Sequence, residues 1–170
     1  AVSRITTSMP SWAAVVIAGC GSGDSADSAK PDATETNKVL MDVDSPEMKK
    51  QAPDAFKARF ETNKGAFVIE VHRNWAPIGS NRFYNLVRNG WYDGVRIHRV
   101  LEDFTAGWGI HDDPYVNRVW QNEILLDDPV TQSNTRGRVS FARSGPDSRT
   151  THVFVNSKDN PGLDDRFAPF

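Results

Sequence analysis

Residues 56–74, FKARFETNKGAFVIEVHRN, set the first constraint on the fold. Phe67, Ile69 and Val71 alternate with Val68, Glu70 and His72, so an extended run here has one apolar face and one mixed face. The turn residues Asn63-Lys64-Gly65 precede that run and follow another extended one, which predicts a β-hairpin. In APIGSNRFYNLVRNG, 76–90, Phe83, Leu86 and Val87 stand at helical spacing, with Pro77 near the start and Asn89-Gly90 at the stop. That predicts a short amphipathic helix. WYDGVRIHRVL turns at Asp93-Gly94 into a strand over 95–101, and GRVSFAR and HVFVN are short strands separated by the turn-rich SGPDSRTT. The order β, β, α, β, followed by loops and further strands, excludes regular βαβ alternation and points to a mainly β domain closed as a barrel or sandwich.

The strand at 95–101 poses a chemical question. If it is extended, Val95, Ile97, Arg99 and Leu101 share one face, and Arg96, His98 and Val100 the other. Arg99 then points where the aliphatic side chains point. A guanidinium cannot shed its proton, and burying one without a partner is costly, so the position suggests either a site or a salt bridge to Glu102 or Asp103.

The chain has 170 residues, with 20 basic and 22 acidic side chains and a formal net charge of -2. This balance leaves no global positive field, and binding of nucleic acid through its phosphates is not expected. The longest apolar run, WAAVVIA at 12–18, is far shorter than the roughly 18 or more residues of a membrane-spanning helix. It follows Arg4 and precedes Gly19 and Cys20, the order of charged, apolar and small residues found in a secretory signal. IAGC, 17–20, resembles the bacterial lipobox, whose cysteine is lipidated. Residues 21–38 contain no aromatic and no branched aliphatic side chain and so have nothing to bury. The expected organisation is a signal or lipobox-like segment over 1–20, a flexible polar tether over 21–53 and a folded domain over 54–170. Lipidation at Cys20 would place the domain on the periplasmic side of a bacterial envelope; without it the location would be cytoplasmic. Cys20 is the only cysteine, so no disulfide forms within the chain.

Other chemistries find little support. His98, His111, Asp112 and Asp113 are close in sequence, but His98 belongs to a strand and HDDP reads as a loop with Asx-type turns, so no metal is expected. There is no GxSxG, and Gly107-Trp108-Gly109 lacks the third glycine and following helix of a dinucleotide site.

Four further motifs carry a more specific signal: FYNLV before YDG, HRV followed by Phe104, FARSGP, and TTHVFVN. In this order, and across about Phe56 to Phe170, the chain resembles the cyclophilin family. The resemblance implies a closed antiparallel β-barrel with flanking helices, of which the last strand and second helix would be missing here. It also implies cis/trans isomerisation of the peptide bond before proline, with no cofactor and with proline-containing polypeptides as partners. Arg99 matches the family arginine thought to donate a hydrogen bond to the amide nitrogen. Phe104 and Phe154 match the floor of the proline pocket, and Leu163 its edge. Ala142 and Arg143 match the backbone stretch that pairs with substrate. The pattern also departs from the family. Thr105 and Gly107 stand where methionine and glutamine are common, His152 stands at a second glutamine, and Gly162 and Phe167 stand at a tryptophan and a histidine. The implied consequence is a retained but reduced activity, with His152 partly replacing the lost amides. The alternative is a non-catalytic module that binds proline-containing peptides at the cell envelope.

Overall fold

The computed structural model describes residues 2–6 and 38–170. Cys20, the apolar run 12–18 and most of the tether lie outside the described residues. Strands β1 (Val2–Thr6), β2 (Ala55–Thr62) and β3 (Gly65–His72) form an antiparallel three-stranded sheet in that order. β4 (Arg99–Leu101), β5 (Thr105–Trp108), β6 (Val139–Phe141) and β7 (Val153–Asn156) form a second sheet in the order β4-β5-β7-β6. Helix α1 (Pro77–Arg88) follows β3, and helix α2 (Pro114–Trp120) follows β5.

The hairpin and α1 stand where alternation and helical spacing place them. Thr62 pairs with Gly65 across the turn, Ile69 and Val71 are buried, and Val68 is exposed. On α1, Phe83, Leu86 and Val87 face the core, where Phe83 meets Phe56, Phe60, Tyr92 and Phe170 ring to ring. Each fully buried side chain of this size contributes about 1.5–3 kcal/mol relative to exposure.

Four expectations change. The barrel is not closed among the described residues: β3 pairs only with β2 there, and the two sheets share a core without a continuous hydrogen-bonded ring. Between them lies a cavity of about 550 Å³, whose apolar lining includes Phe67, Ile69, Trp108, Val139, Val155 and Phe170. HDDP is a loop with an Asx turn as far as Asp113, as its residues indicate, but it leads into a helix that the sequence reading did not place. Asp113 accepts a hydrogen bond from the Tyr115 N–H and caps α2, with Pro114 at its first position. Residues 38–53 are not a free tether, since Leu40, Met48 and Ala52 are buried. Side-chain amides of α1 bind this segment, Asn81 accepting from the Ala52 N–H and Asn85 donating to the Lys50 carbonyl. Finally, Val95 is buried but Ile97, Arg99 and Leu101 are exposed, because residues 95–98 are irregular and the strand begins only at Arg99. The residues of β1, which belong to the segment read as a signal, pair with β2 from Val2↔Glu61 to Thr6↔Lys57.

A buried ion pair ties the start of α1 to the segments that carry Asp128 and Arg149. Ala76 gives α1 no side-chain cap. Asp128 supplies it instead, its carboxylate accepting from the Ile78 and Gly79 N–H groups at 2.8 Å each and from Arg149 Nη1 at 2.9 Å. A Cβ at position 79 would lie 3.1 Å from Arg149 Nη1 and 3.3 Å from Asp128 Oδ2, so a glycine within the helix makes room for the pair. Arg149 is 3% exposed, and removing Asp128 would leave its buried charge with Asp127 alone, at 3.3 Å, and the start of α1 without its cap.

Asp128→Ala is therefore expected to lower the unfolding free energy by about 3–5 kcal/mol, read from urea denaturation. Acid should also weaken the fold. Burial is the main cause holding the His111 and His152 pKa values below the usual histidine range, offset at His111 by Asp112 and Asp113. The unfolded chain then takes up these protons first. The linked stability is complete above a pH of about 6.5 and is lost as pH falls through that value towards the lower folded pKa values. Unfolding free energy measured between pH 7.5 and 5 should decline, and His111→Gln should flatten the decline; an unchanged slope would rule out His111 as a source.

Candidate active site

The register of the second sheet builds one face of the site. Arg99 pairs with Gly107, Gly107 with Phe154, and Phe154 with Ser140. Directly opposed residues of antiparallel strands project to the same side, so Arg99 and Phe154 share one face with a side-chain-free position between them, Arg99 exposed at its edge and Phe154 buried at 8% exposure. The next register row, Trp108↔Val153↔Phe141, projects to the opposite side and is buried at 4%, 1% and 1% exposure. Arg99 therefore points away from the core. The expectation that it shares a buried face with Val95, Ile97 and Leu101 does not hold, and neither Glu102 nor Asp103 forms an ion pair with it among the described residues.

An amide network positions the rest of the face. Asn134 is fully buried. Its Nδ2 donates to Asp164 Oδ1 at 3.0 Å and to the Phe167 carbonyl at 2.8 Å, and its Oδ1 accepts from Ser140 Oγ at 3.0 Å. Asn160 Nδ2 donates to Asn156 Oδ1 at 2.8 Å and to the Phe104 carbonyl at 3.0 Å, and the Ser157 N–H donates to the same carbonyl at 2.9 Å. The hydrogen bonds from Ser133 and from the Asn134 backbone hold the Asp164 pKa below its usual value. These bonds fix the 3₁₀ turn Pro161–Leu163, and the Phe167 N–H donates to the Leu163 carbonyl at 3.0 Å. Sequence reading passed over Asn134, Asn156 and Asn160. Their signal is one asparagine at the end of a strand and two in the loops beside it, a pattern that says nothing of which backbone groups they will reach.

Phe167 packs edge-on against Phe154 at 5.3 Å, with the Arg143 guanidinium 5.7 Å from the Phe167 ring centre and Arg166 at 5.8 Å. Asp127 holds Arg143 by an ion pair. The Arg143 side chain is thus engaged by Asp127 and lies against the Phe167 ring. The Ala142 N–H donates to the His152 carbonyl at 2.9 Å, which extends the β6-β7 pairing to His152. Phe104 is 37% exposed and joins the site through its carbonyl; among the described residues its ring does not contact that of Phe154. His98, expected on the face opposite Arg99, instead brings its ring to 5.7 Å from that of His152.

Gly109 closes one end of this face. Its φ is +128°, and a Cβ there would stand 2.5 Å from the Thr151 carbonyl oxygen and 2.7 Å from His152 Cα. Its own carbonyl accepts from Trp91 Nε1 and from Thr151 Oγ1, each at 3.1 Å. No group of three or more metal-ligating side chains is gathered among the described residues. The arrangement offers an exposed charged donor, an aromatic bed and fixed backbone, which suits non-covalent chemistry on an apolar, polypeptide-like ligand.

Comparison with known proteins agrees with this geometry. The family model for cyclophilin type peptidyl-prolyl cis-trans isomerase/CLD matches residues 57–170. A peptidyl-prolyl cis-trans isomerase of Acinetobacter baylyi is 35% identical over 101 residues, covering 59% of this chain and 54% of its own length. The chain thus spans about half of that relative. A peptidyl-prolyl cis-trans isomerase-like 1 protein of Gibberella zeae is 29% identical over 116 residues, covering 65% of this chain and 70% of its own. The crystal structure of a cyclophilin type peptidyl-prolyl cis-trans isomerase from Cryptosporidium parvum superposes with a TM-score of 0.57 at 21% identity, covering 66% of this chain and 73% of that one. A second structure of that protein, in the presence of the dipeptide Ala-Pro, gives 0.57 and 21%, covering 66% and 74%. At that identity the structural likeness speaks for the fold alone. The match over 57–170 contains both sheets apart from β1, the Arg99 to Phe154 row and the asparagine network, and the chain belongs to the cyclophilin-type peptidyl-prolyl cis-trans isomerase family.

Proposed function

We propose that the chain isomerises X-Pro peptide bonds of polypeptides at the face carrying Arg99 and Phe154. The observation that carries this reading is the register row Arg99↔Gly107↔Phe154, two strand spacings or about 10 Å from end to end. A proline ring laid on the Phe154 and Phe167 edge then has its preceding amide within reach of a long, exposed arginine side chain.

The chemistry breaks no bond. Amide resonance imposes a rotational barrier of about 18–20 kcal/mol, and the uncatalysed X-Pro bond turns over in roughly tens to hundreds of seconds. Twisting about the C–N bond ends the resonance and returns a lone pair to nitrogen. A guanidinium N–H directed at that nitrogen stabilises the twisted state and not the planar one, so it lowers the barrier instead of tightening binding throughout. The apolar bed of Phe154, Phe167 and Leu163 holds the ring, while Ala142 and Arg143 border the flanking chain. Phe104 lies at the rim. His152, half-buried, offers a donor where the family glutamine would stand. We place the lipid attachment at Cys20 within the same reading, which would hold the domain at a bacterial envelope. Labelling by a palmitate analogue, lost on Cys20→Ser, tests that attachment separately.

A charge-assisted hydrogen bond is worth about 1.5–3 kcal/mol. Arg99→Ala should therefore lower kcat/KM for a proline tetrapeptide by about 10- to 100-fold in a coupled isomerisation assay. The fold should be unchanged by circular dichroism, since Arg99 is exposed. Equal slow rates for the two proteins would leave only a peptide-binding module. A Cβ at position 107 would meet nothing closer than the Val153 carbonyl at 3.5 Å, with Arg99 O and Phe154 Cβ each at 3.9 Å. Gly107→Gln is thus expected to fold normally and to raise kcat/KM roughly fivefold, the effect of about one neutral hydrogen bond.

A further inference from the structure

We propose that His98 and His152 form a two-imidazole clip for a soft divalent cation such as Zn²⁺ or Ni²⁺, and that the bound ion blocks the substrate face. The two ring centres are 5.7 Å apart with planes inclined at 61°. An ion held about 2.0–2.1 Å from a ring nitrogen lies about 3.2 Å from that ring's centre, so two rings on one tetrahedral ion stand about 5.2 Å apart. The remaining half ångström is within the swing of an exposed side chain such as His98 about its torsions.

Both backbones are pinned where the clip needs them. The His98 N–H donates to the Gly107 carbonyl at 3.2 Å, and the His152 carbonyl accepts from the Ala142 N–H at 2.9 Å. The other two histidines are engaged elsewhere: His72 faces Glu70 at 3.4 Å and stacks on Trp75, and His111 faces Asp112 at 3.2 Å. Among the described residues no carboxylate forms an ion pair with His98 or His152. Imidazoles without carboxylates suit zinc, nickel or copper and offer nothing to calcium or magnesium. Two protein ligands leave the other positions to water, which makes the ion exchangeable. It would stand at the Gly109 end of the face, beside the residue that follows it in the chain, Arg99, and two residues along from Phe154.

The binding half of this inference stands apart from the isomerase reading, whereas the blocking half rests on it. Calorimetric titration of the full chain with ZnCl₂ alone should show one site, weakened about tenfold or more in His98→Gln and again in His152→Gln, but unchanged in His111→Gln. Undiminished affinity in both His98→Gln and His152→Gln would overturn the clip. In the isomerisation assay, each protein's rate with Zn²⁺ is compared with its own metal-free rate; wild type should slow and recover on adding EDTA, and His98→Gln should not slow. Tight Zn²⁺ binding without slowing of an active enzyme would overturn the block. An inactive metal-free wild type would overturn the isomerase reading while calorimetry still decides the clip.

Discussion

The second sheet can have only one of its faces inside, and this choice governs the site. Trp108, Val153 and Phe141 occupy one register row and are buried against the hairpin, α1 and Phe170. Strand geometry then sends the neighbouring row to the other side, where Phe154 is covered by Phe167 and Arg99, at the sheet edge, is left exposed. The guanidinium avoids the cost of desolvation because the aromatic residues of the other row have already claimed the interior. An arginine that remains solvated and, among the described residues, without an ion-pair partner keeps its donors available to a ligand.

An outward face of three- and four-residue strands does not by itself make a shaped site. The segments that shape it are irregular, and polar side chains fasten them. Asn134 and Asn160 donate to the carbonyls of Phe167 and Phe104, and Asp164 holds the turn that carries Leu163. Every such bond gives a carbonyl or amide of the loop a partner that neither helix nor strand supplies. On the far side Asp127 and Asp128 do the same for Arg143 and Arg149. The aromatic bed is thus clamped from both flanks by groups that are themselves remote from the ligand.

The hairpin and α1 were legible because their signals are local: alternation around Asn63-Lys64-Gly65, and Phe83, Leu86 and Val87 at helical spacing. The face of Arg99 was not legible. Alternation divides residues into two sides but does not say which side another strand will bury, and the register with Trp108 and Val153 is a tertiary fact. Closure of the barrel likewise depends on pairing between distant strands. Helix α2 is only seven residues long, too short to show a periodicity, although Asp113-Pro114 is a capping signal in its own right. Leu40 lies in the short apolar stretch Val39-Leu40-Met41 and Met48 and Ala52 are scattered beyond it, and their places are set by tertiary contacts, Trp120 donating to the Leu40 carbonyl and α1 holding the segment through Asn81 and Asn85. Within the site, Arg99, Phe104, Ala142, Arg143, His152, Phe154 and Leu163 came from family resemblance. The ring contact of His98 with His152 depends on the irregular backbone before β4, which no strand pattern describes.

Gly109 has a consequence for how this family member can vary. Its backbone conformation is one that other residues rarely adopt, and the Thr151 carbonyl already fills the space where a first side-chain carbon would go. The same residue's carbonyl anchors Trp91 and Thr151. Even alanine would have to force the two chain segments apart at the edge of the aromatic bed. Random mutagenesis of this position should leave a single survivor, making residue 109 a point where the accessible sequence space of the domain narrows to one amino acid.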